Sequence, residues 1–229
     1  MPLANNRERI LVFDVNETLL DIEALEPFFA RTFSGGCSMR RWFDQQILYS
    51  QALTLSGRYV DFGTLAVAVL KMLAQTCDVH VRDDDIDEFT ATLKALPPHA
   101  DVAPALDKLA GAGFRMVSLS NSPKESSEGA LSQAGIRHYF DEVLSVDPLH
   151  QFKPALAVYT ETARGLGADP ARLRLIAAHV WDTTGAQAAG WAAALVTRRG
   201  NAPLPWGEQP DIIEPSLLAV ADRIVACDS

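Results

Sequence analysis

Cysteine is scarce in this chain. Cys37, Cys77 and Cys227 lie far apart, and no two of them stand in CxxC spacing. That pattern argues against a structural zinc site and against a disulfide framework. Positive charge is scarce too: Lys and Arg number 20 against 29 Asp and Glu, a net charge of −9. A nucleic-acid partner, which needs a basic face, is therefore not expected. A small anionic substrate stays possible, because a few local cations can hold one. No run of about 18 uninterrupted apolar residues is found, so no membrane span is expected. The opening MPLANNRERI lacks the apolar core of a secretory signal. The expectation is a soluble, cytoplasmic protein. Internal repeats and low-complexity segments are also missing. What is present is a 48% apolar, 21% charged composition over 229 residues. That supports a real core, in one α/β domain with an insertion or in two small domains.

The apolar run Ile10-Leu11-Val12-Phe13 predicts a buried strand over 9–14. From residue 21 to about 96 the pattern is helical. Met39, Trp42, Phe43, Ile47 and Leu48 fall largely at helical spacing, and Gly57-Arg58 breaks the run. A second helix is expected over 61–74 and a third over 84–96, ended by Pro97-Pro98. Thereafter helices and strands alternate. Strands are expected at 114–119, 142–144, 173–178 and 193–197, and helices at 102–112, 123–134, 155–166, 183–190 and 215–226. Such alternation implies a parallel sheet covered on both faces. The fold class is α/β, with 1–20 and 99–229 forming the core and 21–98 an all-helical insertion.

Open parallel sheets bind ligands beyond the carboxyl ends of their strands. Asp14, Ser120-Asn121, Lys153, His179 and Asp182 fall at those ends or in the loops beyond them. A carboxylate where a buried strand stops is costly unless something uses it. Asp14 could be a nucleophile beside turn N–H groups, or a turn aspartate. Ser122 and Pro123 suit an N-cap and a first helical residue, which leaves Ser120 and Asn121 as spare donors for an anion. Lys153 could orient Asp14 or be a solvated lysine. His179 could relay a proton or simply bond the backbone, and Asp182 could be a helix N-cap. His80, His99, His138 and His150 lack such a setting and read as surface residues.

Taken together these positions resemble the haloacid dehalogenase superfamily over nearly the whole length. The resemblance is strongest to the hydrolytic type II 2-haloacid dehalogenases. It rests on FDVNETLLD (13–21), GRYVDF (57–62), LSNS (119–122), LSVDPLHQFKP (144–154) with Tyr159, and WDTTGA (181–186), in that order. One short motif would be weak; several in the correct order are specific. The resemblance implies a Rossmann-like core with an inserted helical cap. It implies Asp14 as nucleophile, with Thr18, Ser120 and Asn121 supporting it and placing the substrate carboxylate. Lys153 would pair with Asp14, Tyr159 and Asp182 would share the site, and Ile47, Phe62 and Trp181 would line the apolar pocket. It also implies a homodimer, by resemblance only.

Asn16 separates this chain from the superfamily's phosphatases, whose DxDxT motif has an acid there that protonates the leaving group. An amide cannot act as a general acid. Phosphatases also place an acid four or five residues before the Asp182 position to help hold Mg²⁺, where this chain has Ala178 and Ala177. Both changes are harmless to dehalogenation, in which halide leaves without a proton and no metal or other cofactor is needed. Two departures from the dehalogenases stand beside them. Phe43 occupies the place of an arginine that helps bind the departing halide and the substrate, with Arg40 and Arg41 on another helix face. Ala177 and His179 replace a serine and an asparagine. The expected reaction is conversion of short 2-haloacids to 2-hydroxy acids through an ester on Asp14, with His179 a candidate base or water-orienting group. The alternatives are a phosphatase of the same superfamily and a catalytically silent binding protein.

Overall fold

The computed structural model describes residues 9–228. The first strand, β1 (Ile10–Phe13), is buried along its whole length, which is why its sequence does not alternate. It lies mid-sheet between β2 (Arg115–Ser120) and β4 (Leu173–Ala177), with Phe13 opposite Ser118 and Ile176. With β3 (Glu142–Ser145), β5 (Ala192–Val196) and β6 (Ile212–Glu214) it forms a six-stranded sheet in the order β3-β2-β1-β4-β5-β6. Every pairing is parallel. The order reverses direction between β1 and β4. The carboxyl ends of those two strands are therefore the switch point at which such sheets open a crevice.

Helices α1 (Glu26–Phe33), α2 (Met39–Leu55), α3 (Phe62–Thr76) and α4 (Asp83–Lys94) follow β1. Then come α5 (Val102–Gly111), α6 (Lys124–Gln133), α7 (Leu156–Gly165), α8 (Val180–Ala188) and α9 (Leu217–Asp228). The chain leaves the sheet and returns through two paired segments. Asp21 N–H donates to the Pro97 carbonyl (2.8 Å) and His99 N–H to that of Leu19 (3.0 Å). Between them α1–α4 close on an aromatic cluster in which Phe89 lies 5.0 Å from Trp42 and 5.5 Å from Phe28. Such pairs each add about 0.5–1.5 kcal/mol beyond area burial. Trp42 Nε1 also donates to the Ala66 carbonyl at 3.0 Å, fixing α2 on α3. Ser38 caps α2, and Asp61 caps α3 by accepting from Thr64 N–H.

The structure corrects several expectations. β6 was not foreseen, because three edge residues carry too little pattern. Helix α8 begins at Val180 rather than 183, so Asp182 sits inside its first turn and is not the N-cap; His179 holds that position. Ser122 is not an N-cap either: α6 starts at Lys124 with Pro123 before it, and no side chain caps it. A disulfide joins Cys37 to Cys77, with Cα atoms 6.4 Å apart. Spacing in sequence argued against it, but the α2–α3 hairpin carries the loop before α2 back to the end of α3. Finally, His99 is not a free surface residue: it is partly buried, and its Nε2 lies 3.0 Å from the Glu17 carbonyl.

Candidate active site

Asp14 is the first residue past β1. Its N–H still bonds the Ile176 carbonyl at 3.0 Å, so its backbone is held by β4. The chain then turns sharply. Glu17 takes a left-handed φ of 64°, and both Leu19 and Leu20 donate to the Val15 carbonyl. A non-glycine residue held there costs on the order of 1–2 kcal/mol. The turn brings Thr18 back over Asp14. Its hydroxyl donates to Asp14 Oδ2 at 2.6 Å and accepts from Ala178 N–H, just past β4, at 2.8 Å.

Lys153 approaches from the other side, and its side chain is wholly buried. Its ammonium donates to Asp14 Oδ1 (2.8 Å), Asp182 Oδ2 (2.6 Å) and the Leu119 carbonyl (3.0 Å), which uses all three protons. Asn121 Oδ1 accepts from Lys153 N–H at 2.9 Å. The Asn121 amide oxygen is thereby committed to placing Lys153, which leaves the amide nitrogen as its donor. Ser120 Oγ accepts from Ser122 N–H at 3.0 Å. Tyr159 donates its hydroxyl to Asp182 Oδ1 at 2.5 Å.

Tyr159 is held from behind by α8. A Cβ at Gly185 would stand 2.5 Å from Tyr159 Cε2 and 2.8 Å from Pro154 Cβ. Gly185→Ala should therefore cost about 1–3 kcal/mol, since neither ring can yield inside a packed interior. An unchanged urea midpoint would show that Tyr159 is free to move.

Burial alone would push the Asp14 carboxyl up, but the Lys153 charge and His179 hold it well below the usual carboxylate range. Asp182 moves the other way: burial and the neighbouring Asp14 charge raise it against the pull of Lys153. Burial opposes a charge on His179, yet Asp14 and Glu17 together push its imidazole up to about 9. Its Nε2 lies 2.7 Å from Glu17 Oε2. Its Nδ1 lies 3.4 Å from Asp14 Oδ2, near enough for an ion pair but without a hydrogen-bond partner. The ring is stacked on Trp181 at 4.9 Å and tilted against Phe43 at 5.6 Å.

The folded value for His179 lies above its ordinary 6.5. The charged ring thus contributes stability that is complete below that value and lost as pH rises through about 9. Melting temperature should accordingly fall at the alkaline end of a scan, and less steeply in His179→Gln. Equal slopes in the two proteins would count against a charged His179.

Beside this cluster a cleft of about 650 Å³ opens between α2–α4 and the start of α6. Asn16, Phe43 and Phe62 are on its wall, with Gln46, Ser122 and Ser127. Asp14 is not: its neighbours Val15 and Asn16 are, and its own side chain is 7% exposed. Ile47 is buried in the core and Trp181 lies against His179, and neither faces the cleft. Among the described residues, no cluster of three or more His, Cys, Asp or Glu side chains is arranged to hold a metal.

The family model for haloacid dehalogenase-like hydrolase matches residues 8–190. The chain belongs to the haloacid dehalogenase-like hydrolases. Within that family it is 30% identical to (S)-2-haloacid dehalogenase of Pseudomonas sp. (strain YL), over 93% of this chain and 92% of that protein. It is 28% identical to (S)-2-haloacid dehalogenase 2 of Pseudomonas sp. (strain CBS-3), over 94% of this chain and 98% of that one. Among solved structures it is similar to the L-2-haloacid dehalogenase of Xanthobacter autotrophicus with chloropropionic acid covalently bound. That likeness has a TM-score of 0.85 and 25% identity, covering 96% of this chain and 99% of that one. The family's α/β architecture with an inserted helical cap agrees with the expectation from sequence.

Two residues at the haloacid dehalogenase-like site escaped the sequence reading. Glu17 is buried, and its carboxylate binds both His179 and Arg40. It stood inside the quoted motif, but as a turn residue. Arg40 was assigned to another face of α2, yet a long guanidinium reaches past the face its Cβ points to. It donates to Glu17 and to the Arg199 carbonyl.

Proposed function

We propose that this protein hydrolyses short (S)-2-haloalkanoic acids to 2-hydroxy acids. The observation that carries the reading is Asp14, a buried carboxylate kept ionised by Lys153 and oriented by Thr18 at the switch point of the sheet. The named (S)-2-haloacid dehalogenases that match nearly the whole chain support it. An Asp14 oxygen attacks C2, the carbon–halogen bond breaks, and halide departs with its electron pair. The product is an ester on Asp14. Water then attacks the ester carbonyl and releases a 2-hydroxy acid inverted at C2.

Lys153, through its paired bonds to Asp14 and Asp182, keeps the nucleophile charged and fixed in rotation. Tyr159 fixes Asp182. Ser120 and the Asn121 amide nitrogen hold the substrate carboxylate. Asn16, Phe43 and Phe62 form the surroundings of the alkyl group and the halide. His179 serves the hydrolytic water. Asn16 needs no proton to give, because halide leaves without one. Residues 1–20 and 99–229 act as the core and 21–98 as a cap that excludes bulk water, which strengthens the charges inside. The protein works in the cytoplasm as a homodimer.

The test is chloride release from (S)-2-chloropropionate with EDTA present, followed by one turnover in ¹⁸O-water. Label in the Asp14 peptide is expected. Phosphate release from phosphate esters with no chloride release would overturn the reading.

A further inference from the structure

His179 sits between two carboxylates that meet its two nitrogens in different ways. Glu17 Oε2 binds Nε2 at 2.7 Å, whereas Nδ1 is buried, faces Asp14 Oδ2 at 3.4 Å and has no hydrogen-bond partner. Glu17 is itself held. Its side chain is 3% exposed, and its other oxygen accepts from the Arg40 guanidinium of α2. The imidazole plane is set by Trp181 and Phe43. A base whose far nitrogen is pinned by a buried carboxylate, with its near nitrogen open towards the reacting group, has a defined tautomer and direction.

We propose that Glu17 is the positioning residue for ester hydrolysis. By holding the Nε2–H of His179 it leaves Nδ1 as the atom that takes a proton from the water attacking Cγ of Asp14. The inference rests on the dehalogenation reading above.

The charges give the order of events. The groups facing His179 are Asp14 and Glu17 from the β1 turn and Asp44 from α2, and Arg40 of α2 reaches it only through Glu17. Lys153 and Asp182 stand behind Asp14. While Asp14 is an anion, the two nearest carboxylates keep the imidazole protonated. Alkylation turns Asp14 into a neutral ester and removes one of them. The Nδ1 proton then passes to solvent, accounting for the acid equivalent that accompanies the released halide. Neutral His179 keeps its Nε2–H on Glu17 and offers the Nδ1 lone pair. The water oxygen bonds to Cγ and one water proton goes to Nδ1. The Cγ–O bond to the product then breaks, and the departing alkoxide takes that proton. The second water proton, left on the Asp14 carboxyl, returns to Nδ1 and restores the starting charges.

The experiment is rapid-quench turnover of (S)-2-chloropropionate by the whole protein and by Glu17→Gln and His179→Gln. Chloride and the mass of the Asp14 peptide are followed in parallel. A positioned general base contributes about 10²-fold or more, so turnover should drop by about that factor in both variants. The chloride burst should survive, and the alkylated Asp14 peptide should accumulate. In the wild type, the decay of that adduct should quicken as pH rises through one ionisation below about 9, a dependence absent from the variants. A wild-type decay indifferent to pH overturns the proposal even where a variant does not fold. Variants that break down the adduct at the wild-type rate also overturn it, as do variants slowed in chloride release instead. Those results leave dehalogenation standing. A wild type that forms no adduct and releases no chloride removes both.

Discussion

Asp14→Asn should abolish chloride release from (S)-2-chloropropionate, by about 10⁴-fold or more. The substitution keeps the shape of the side chain. Its amide oxygen can still accept one of the two bonds that now come from Lys153 and Thr18. What is lost is the charged oxygen, and with it the only step that makes a bond to C2. The variant should fold, and no mass adduct should appear on the peptide spanning position 14. It should also bring the His179 imidazole down, because one of the two carboxylates that hold it up is gone. Following the imidazole by NMR titration reads that change without any turnover. Residual chloride release at a few per cent of wild type would show that the nucleophile lies elsewhere.

Lys153→Met should unfold the protein more readily than any other single change at the site. The methionine fills similar space but leaves Asp14 Oδ1, Asp182 Oδ2 and the Leu119 carbonyl without their donor. Two buried carboxylates then face each other with no ammonium between them. Breaking a buried pair in this way costs about 3–5 kcal/mol. At roughly 2–4 °C per kcal/mol for a chain of this size, the melting temperature should drop by about 10 °C. The pH dependence gives a sharper test. In the variant the two carboxyls should titrate as a pair, with at least one value raised above its unfolded one. The folded form then binds more protons than the unfolded chain, so destabilisation should be greatest at neutral pH and relieved in acid. The native Asp14 behaves in the opposite sense: its depressed value gives stability that is lost as pH falls. A Lys153→Met protein as stable as wild type at neutral pH would mean that water reaches the cluster and screens it.

Much of this is legible in the sequence. The strand at Ile10–Phe13 announces itself as a short apolar run, and those at Arg115–Ser120 and Leu173–Ala177 as short, mostly apolar segments, because both faces of the sheet are covered. The helical character of the insertion follows from apolar spacing in α2 and α3. Asp14, Lys153 and Asp182 stand out in the sequence by their places at strand ends or in the loop beyond one, and the structure brings both carboxylates within hydrogen-bond reach of Lys153. The start of α8 was misplaced because Val180 and Trp181 carry no capping signal; a helix boundary is set partly by the strand that precedes it.

The sequence by itself determined the elements, their order and the residue types available at the carboxyl edge of the sheet. Those depend on local periodicity, which a chain carries wherever it is placed. Only the tertiary structure decided which charges meet. The Cys37–Cys77 bond, the grip of Arg40 on Glu17 and the suspension of His179 between Glu17 and Asp14 join residues 23 to 165 positions apart. Such pairings follow from how the turn at Glu17, helix α2 and the end of β4 are packed together. No periodicity in the sequence encodes the distance between a carboxylate on one loop and an imidazole on another.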